Sequence, residues 1–483
     1  MTQLAPSRYY NTITSLPLTE IEMLNQYILQ ICNTIPAIAI VASEVHRHQC
    51  TLFLSAGLIR QIIHQYYHLE APEKLIAEHC DLDIYLECTK ETHERIVKIL
   101  KRKLKDTPII SKIDIIHCQD VSNYNQQTDF RMNSVIFNYS EGRIVDNFDG
   151  VEDIKAQRIR IRTKLFFVIN TGSIIRLFRF ATQLGYHYDP EIMDLGKQYG
   201  KILFRQPFRQ LYKHIGEFFK VLTFPNVSYW REMNACELYS NLIPELIIPQ
   251  HVHFPDRSGD TFLDYNVDLL TQTNHLQECL PAKVWQFLSA KDQISLQTKK
   301  HNRLFVYSTI FNPLGFLRLS CLFFQLISAY QAMDGGGLTR AEAFAELLPK
   351  TLDSIKFRYL RHPYIARMLV DSLQMAHLVE QHYTALLTHG ELAKFTSDLP
   401  VEDKHQDLLL PHLMVFILIQ VDRKRHWLTP HQFSLADQIE TDLQTYFAQY
   451  EPPSRKPKGI WERLKNAWQR AFQTQFNAPM PTH

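Results

Sequence analysis

The amino-acid sequence predicts an α+β chain: a small mixed or antiparallel sheet with flanking helices, followed by a large all-α neck, body and tail. Three observations predict it. Short apolar runs at 51–54, 81–87, 109–116, 134–138 and 144–145 cluster or alternate as strands do. Helical apolar spacing takes over from Val151 and persists. Hydrophobic residues make up 45% of 483, with only 15 glycines, which is a globular composition and not a disordered one.

The elements follow in order. Residues 1–48 form a helical lead-in, where Ile21, Leu24, Tyr27, Ile28 and Ile31 recur at helical spacing. Thr51 to Leu54 reads as a strand, Ala56-Gly57 as a turn and Leu58 to Tyr67 as a helix. Asp81 to Glu87 alternates acid and apolar residues, so Asp81, Asp83 and Tyr85 share one face of a strand. Thr92 to Lys105 is an amphipathic helix, and the strands at 109–116, 134–138 and 144–145 complete a head over 49–160. Thr163 to Leu184 and Lys197 to Leu222 each hold helical spacing and make a neck over 161–255. The Pro249 to Asp260 stretch is loop-like. Residues 261–450 read as an all-α body, broken at Pro281, Pro313, Asp334 to Gly337, Pro363 and Pro400, and 451–483 as a basic, aromatic tail.

Charge makes no global case for nucleic acid, because 52 Lys and Arg against 50 Asp and Glu leave +2. Any RNA or DNA contact must come from local patches. The eight cysteines never form Cys-x-x-Cys, so reduced thiols in a cytoplasmic protein are expected, with no zinc site. Met1 to Leu18 lacks the basic start and apolar stretch of a signal peptide. The apolar run from Leu408 to Val421 is too short to span a bilayer and predicts a buried helix.

Asp81 and Asp83 are the first chemical signal. Two carboxylates on one strand face, with a third from a neighbouring strand, suit magnesium, which takes hard oxygen ligands alongside substrate phosphates. Asp114 is the candidate for the third. Such a set serves in-line attack of a hydroxyl on an α-phosphate, where two metal ions activate the hydroxyl and neutralise the leaving group. By itself, an Asp-x-Asp is also an ordinary solvated strand edge.

The flanking residues add to it. Ala56-Gly57-Leu58-Ile59-Arg60 resembles the Gly-Gly-x-Val-Arg that opens the class II poly(A) polymerase and CCA-adding enzyme family of the polymerase β superfamily. Asp81 and Asp83 match that family's Asp-x-Asp, and Asp114-Ile115-Ile116 is similar to its Glu-Val-Ala. Gln127 to Ser134 resembles Arg-Arg-Asp-Phe-Thr-Ile-Asn-Ala. Val145 to Ile154, with Arg160 after it, resembles Ile-Asp-Pro-Phe-Gly-Gly-x-x-Asp-Leu. Arg176 to Ala181 matches Arg-Ala-x-Arg-Phe-Ala, and Glu217 to Leu222 echoes Glu-x-x-Lys-x-Leu. These blocks keep their order over residues 50 to 225; residues 261–483 share none of them.

The resemblance implies a nucleotidyltransferase sheet and roles for named residues. Asp81, Asp83 and Asp114 would be catalytic, with Asp81 and Asp83 as metal ligands for two Mg2+ ions. Ala56, Gly57, Arg60, Asp129, Asn170, Ser173, Arg176 and Arg179 would line the nucleotide site. Gly57 admits close approach of backbone to phosphate, and Arg60 can pair with a triphosphate. Asn133 would be structural.

The departures bear on specificity. The family's base-reading Asp-x-x-Arg stands here as Asn170-Thr171-Gly172-Ser173, which keeps an amide but loses bidentate recognition by arginine. Thr128 replaces one triphosphate cation, and Ala56 and Gln61 also differ. His46, His48, His251 and His253 read as surface or loop residues, and Gly335-Gly336-Gly337 lacks the Lys-Ser/Thr of a P-loop. In the tail, Trp461, Leu464, Trp468 and Phe472 share a helical face beside Arg455, Lys456 and Lys458. Packing on the body, RNA and an acidic membrane surface all fit that pattern.

The expected activity is template-independent transfer of a nucleoside monophosphate from a triphosphate, ATP first, to the 3′ end of tRNA or another RNA, releasing pyrophosphate. Two alternatives stand beside it: nucleotide transfer to a non-RNA acceptor such as a protein, and a catalytically decayed RNA-binding or interaction protein.

Overall fold

A computed structural model gives the architecture over residues 16–68, 81–104, 112–121, 128–170, 172–200, 208–255, 259–290, 292–300, 303–333, 340–358, 363–390, 392–398 and 409–452. The chain forms two compact units, Met1–Gly196 and Lys197–His483. The division falls inside the stretch that the sequence predicts as one helical neck.

The first unit is built on five strands: β1 (Thr51–Ser55), β2 (Asp81–Glu87), β3 (Lys112–Cys118), β4 (Ile136–Asn138) and β5 (Arg143–Val145). Their order is β3-β2-β1-β4-β5, with β2 and β3 parallel and every other pair antiparallel. The sheet is therefore mixed. Helices α1 (Leu18–Asn33), α2 (Pro36–Arg47), α3 (Ala56–His68) and α4 (Lys90–Lys103) flank it. α4 makes the crossover that a parallel β2–β3 pair requires. Thr89 caps α4 by accepting from the Thr92 N–H, and Lys101, Arg102 and Lys103 complement its C-terminal dipole. Ile96 and Leu100 bury its apolar stripe. On the helix-covered face, Leu52, Leu54, Leu82, Ile84 and Leu86 are all but fully buried.

Two local expectations change. Ala56-Gly57 is not a separate turn: α3 starts directly after Ser55. The predicted helix over 163–184 is two helices, Lys164–Ile169 and Gly172–Leu184. Asn170 sits in the break, where its carbonyl accepts from the Ser173 N–H at 2.7 Å. Asn and Gly compete with helical backbone geometry, which overrides the apolar period there. Of the predicted Lys197 to Leu222 helix, the described parts lie in Pro190–Tyr199 and Phe208–Leu222, and residues 201–207 lie outside the described residues.

The second unit is mostly helical. Among the described residues, Asp292–Lys300 and Arg303–Phe311 depart from the predicted all-α character of the body and pair as antiparallel strands. Ile294-Ser295-Leu296-Gln297-Thr298 alternates with period 2, and Val306, Tyr307, Thr309 and Ile310 favour strands. The predicted buried helix is Leu409–Lys424, whose residues from Leu409 to Ile419 are all buried. Among the described residues, the stretch Pro313–Met333 is long and apolar enough to cross a membrane, and 83% of its apolar window is buried in the unit. Arg318 lies in the middle of it, fully buried. Its guanidinium donates to the carbonyls of Leu222, Phe224 and Pro225, to Thr273 Oγ1 and to Asn274 Oδ1. The tail pattern from Arg455 to Phe472, and Gly335 to Gly337, lie outside the described residues.

One glycine ties the fold to the site. A Cβ on Gly150 would stand 2.3 Å from the Arg131 carbonyl oxygen and 2.6 Å from Val135 Cγ2. Gly150 opens the helix Gly150–Lys155, held by Asp146, which accepts the N–H groups of Gly150 at 2.9 Å and Val151 at 2.8 Å. The 3-10 turn Arg131–Asn133 packs on that helix start. Gly150→Ala is expected to lower the unfolding free energy by about 1–3 kcal/mol through this overlap, measured by urea denaturation.

Candidate active site

The parallel register of β2 and β3 sets Asp83 directly beside Asp114. Ser55, the last residue of β1, pairs with Asp83 from the other side. Residues paired across strands share a face, so Ser55, Asp83 and Asp114 form one row. The next row on that face contains Phe53 and Tyr85, buried with Val121, Ile136 and Val145 in one apolar cluster. The acidic row itself runs on through Ile136 and Val145 of that cluster, while Asp83 and Asp114 at its other end are half-buried. Asp81 opens β2 opposite Lys112, and its side chain lies outside the described part of the structure.

Among the described residues, no group of three or more His, Cys, Asp or Glu side chains is placed to hold a metal ion. The histidines at 46, 48, 251 and 253 join no such group. Asp83 and Asp114 nonetheless supply the chemistry magnesium accepts: one or two carboxylates, with the remaining positions left to phosphate oxygens and water.

α3 begins immediately after Ser55, so its first turn, Ala56 and Gly57 included, abuts the acidic row. A Cβ on Gly57 would meet no atom within 4 Å. Among the described residues, packing therefore does not demand glycine here, and the space beside that helix start is open.

Arg60 lies one turn further along α3 and is only 8% exposed. Its Nη1 donates to Asn133 Oδ1, and Asn133 Nδ2 donates to Asp129 Oδ1 at 2.9 Å. Asp129 Oδ1 also accepts the Phe130 N–H at 3.0 Å, while Oδ2 pairs with Arg176 Nη1 at 2.7 Å. Phe180 collects all three arginines. Its ring centroid is 4.5 Å from Arg60 Cζ, 5.4 Å from Arg176 Cζ and 4.0 Å from Arg179 Cζ. Residues 176 and 180 are one helical turn apart, and Arg60 arrives from α3.

The electrostatics are lopsided. Burial pushes Arg60 down to about 10, and Arg179 and Arg176 lower it further than Tyr186 and Asp129 raise it. Three guanidiniums gather on one ring here, with Asp129 as the described carboxylate beside them. Its Nε has no hydrogen-bond partner among the described residues. Cation–π contact with Phe180 offsets part of the cost. An anion with several acceptor oxygens would offset more. Behind Arg60, His64 Nδ1 meets the Tyr186 hydroxyl at 2.7 Å. Burial, then His68 and Arg60, hold His64 below its ordinary range.

The structure therefore brings together Arg60, Asp129, Arg176 and Arg179, and separately Asp83 and Asp114. Asn170 is exposed at the helix break, whereas Ser173 is buried at 3% exposure. Thr128 is buried as well, and its carbonyl accepts from Arg162 Nε at 3.3 Å. Sequence reasoning misses the part played by Phe180, which lies inside the Arg176–Ala181 block; a phenylalanine one turn after an arginine is a legible cation–π signal. Asn133, expected to be structural, bridges a cation to a carboxylate.

No protein-family model matches the chain, and no curated protein is similar enough in sequence to match it. Solved structures do match in fold. A Thermotoga maritima CCA-adding enzyme complexed with tRNA aligns over 95% of this chain and 96% of its own, at 13% identity and a TM-score of 0.51. A CCA-adding enzyme with ATP aligns over 97% and 96%, at 12% identity and a TM-score of 0.49. The α+β arrangement of a small mixed sheet, flanking helices and a long helical remainder is similar to the fold of the Thermotoga maritima enzyme.

Two measurements probe this cluster. Inorganic tripolyphosphate at millimolar concentration is expected to raise the melting temperature, and Arg179→Gln to abolish most of that rise. The depressed His64 resists protonation when folded, so the unfolded chain takes up the proton first as pH falls through about 6.5. Stability present above that pH is expected to decline below it, and His64→Gln to flatten the decline in denaturant titrations.

Proposed function

We propose that this chain is a nucleotidyltransferase that moves a nucleoside monophosphate from a nucleoside triphosphate to an RNA 3′ end. The observation that carries the reading is the Arg60–Arg176–Arg179 group around Phe180. It shares a unit with the Asp83–Asp114 pair. One cluster suits a triphosphate; the other suits hard metal ions.

In this reading, the 3′ hydroxyl oxygen bonds to the α-phosphorus, the α–β bridging P–O bond breaks, and pyrophosphate leaves with the electron pair. The hydroxyl proton passes to solvent. Asp83 and Asp114, with Asp81 two positions before Asp83, would hold magnesium, which lowers the hydroxyl's pKa and neutralises the leaving group. Arg176 and Arg179 bind the phosphates from one helix, and Arg60 holds the buried end of the charge chain. Asp129 does not contact the phosphates; it fixes Arg176 and, through Asn133, Arg60. The open first turn of α3 at Gly57 gives phosphate oxygens access to backbone N–H groups.

Three things support RNA as acceptor. The motif order between Gly57 and Arg179 resembles that of poly(A) polymerases and CCA-adding enzymes. The fold is similar to that of an enzyme solved with tRNA. The exposed Asn170 retains hydrogen-bonding capacity for a base edge. ATP is the first candidate donor. The buried Ser173 removes the family's arginine reading of the base, so selection among triphosphates should be looser or different. Cytoplasmic location is part of the proposal.

Purified protein incubated with each α-labelled triphosphate and total RNA is expected to label RNA. Asp83→Ala and Asp114→Ala should each reduce labelling by about a hundredfold or more, while leaving the tripolyphosphate-induced rise in melting temperature. Label on protein and not on RNA would transfer the reading to a non-RNA acceptor. Absence of label, or equal labelling by Asp83→Ala, would sink it.

A further inference from the structure

Three cysteines gather at one end of the first unit's sheet, and the proposed reaction uses none of them. Cys50 immediately precedes β1, Cys88 immediately follows β2 and Cys118 ends β3. All three are free thiols and half-buried. The β1–β2 ladder ends on the pair Thr51 and Glu87, so Cys50 and Cys88 occupy the next step out in the same antiparallel register. The far end of that ladder is the Ser55 and Asp83 pair, at the acidic row.

Directly opposed residues of an antiparallel pair have Cα atoms about 4.5–5.5 Å apart. A disulfide needs a Cα separation of about 4.4–6.8 Å. The register therefore supplies the spacing of a cross-strand bridge. Opposed side chains also share a face, and here the two thiols are hydrogen-bonded to each other. Each sulfur's other described bond is weak and local. Cys50 Sγ donates to the His48 carbonyl at 3.4 Å, and Cys88 Sγ to the Leu86 carbonyl at 3.8 Å.

The two thiols are not equivalent. Burial pushes both up, Cys88 to about 12. Their mutual hydrogen bond lowers Cys50 and raises Cys88, so Cys50 ionises first and Cys88 keeps its proton. Such a pair divides thiol–disulfide exchange between an attacking thiolate and a resolving thiol. Cys118 is placed differently. It pairs in register with Glu87 and packs against the cluster of Phe53 and Tyr85, on the face opposite Leu52 and Leu86. Cys50 and Cys88 lie two residues from Leu52 and Leu86, and so continue the other face.

We propose that Cys50 and Cys88 are a reversible dithiol site, oxidised to a cross-strand disulfide by a low-molecular-weight disulfide such as oxidised glutathione. The Cys50 thiolate attacks one sulfur of the oxidant, whose S–S bond breaks, and the first small thiolate leaves with the electron pair. The Cys88 sulfur then attacks the Cys50 sulfur of the mixed disulfide, and the second small thiolate leaves. The proton given up by each protein thiol ends on a small thiol. Two protein sulfurs are oxidised, and one small disulfide is reduced to two thiols. A reducing compartment keeps the pair open, and a rise in the small disulfide closes it. The bond ties β1 to β2 and closes a loop that contains α3, with Arg60, and Asp83. The site is chemically independent of nucleotidyl transfer.

The test incubates the reduced full chain with millimolar oxidised glutathione and digests it without reduction. Peptide mass mapping is expected to find Cys50 joined to Cys88, and reduced glutathione to return both thiols. The oxidised protein should melt at a higher temperature, because the link restricts the unfolded chain. Cys88→Ser should instead retain glutathione on Cys50, while Cys118→Ala should still form the bridge. Far-UV circular dichroism establishes that both variants fold. A bridge between Cys88 and Cys118, or glutathione retained on wild-type Cys50 with no bridge, would overturn the proposal. So would thiols that stay reduced in the folded wild type, or a melting temperature that falls on oxidation.

Discussion

Arg60, Asn133 and Asp129, all buried, and the part-exposed Arg176 form a polar chain that joins α3, the 128–134 segment and the helix Gly172–Leu184. Each link depends on the next. The Asn133 amide accepts from a guanidinium through its oxygen and donates to a carboxylate through its nitrogen. A leucine would strand the Arg60 Nη1 donor at a cost of about 1–3 kcal/mol and remove one of the two described donors on Asp129 Oδ1. An aspartate would add a second charge beside Asp129. The chain also explains the tight packing beneath it: Gly150 lets the Arg131–Asn133 turn settle on the start of the Gly150–Lys155 helix.

Two buried arginines make opposite use of the same chemistry. Arg318 is fully buried and lowered to about 9 by burial, yet it spends its donors on three backbone carbonyls, a threonine and an asparagine. Those carbonyls lie at and just after the C-terminal end of Phe208–Leu222, where negative helix-end dipoles and orphan acceptors favour a cation. Arg318 is a strut. Arg60 is nearly as deep, but it is surrounded by other guanidiniums and keeps an unpartnered Nε among the described residues. Burial with saturated donors reads as structure; burial with like charges gathered on one ring reads as a site built for an anion.

The sheet and its acids were legible because strand periodicity is local. Asp81-Leu82-Asp83-Ile84-Tyr85 alternates, and alternation alone places Asp83 on the face opposite Leu82 and Ile84. Helices with caps and amphipathic stripes, such as Lys90–Lys103, were legible for the same reason. Illegible were the break at Asn170, where a short polar stretch overrides a continuous apolar period, and the paired strands Asp292–Lys300 and Arg303–Phe311, where alternation lay hidden in a run otherwise helical in character. The burial of Ser173 was also illegible. Its residue type permits either a ligand contact or packing, and only its neighbours choose.

The sequence by itself determined the α+β class, the order of the motif blocks, the acidic strand and the paired arginines on one helix, because each is set by residues a few positions apart. Only the tertiary structure decided that Asp114 stands beside Asp83, since strand register is a long-range choice, and that Arg60 meets Arg176, Arg179 and Phe180. Charge acts through space: its sign at a site is the sum over groups that packing, and not sequence proximity, brings within a few ångströms.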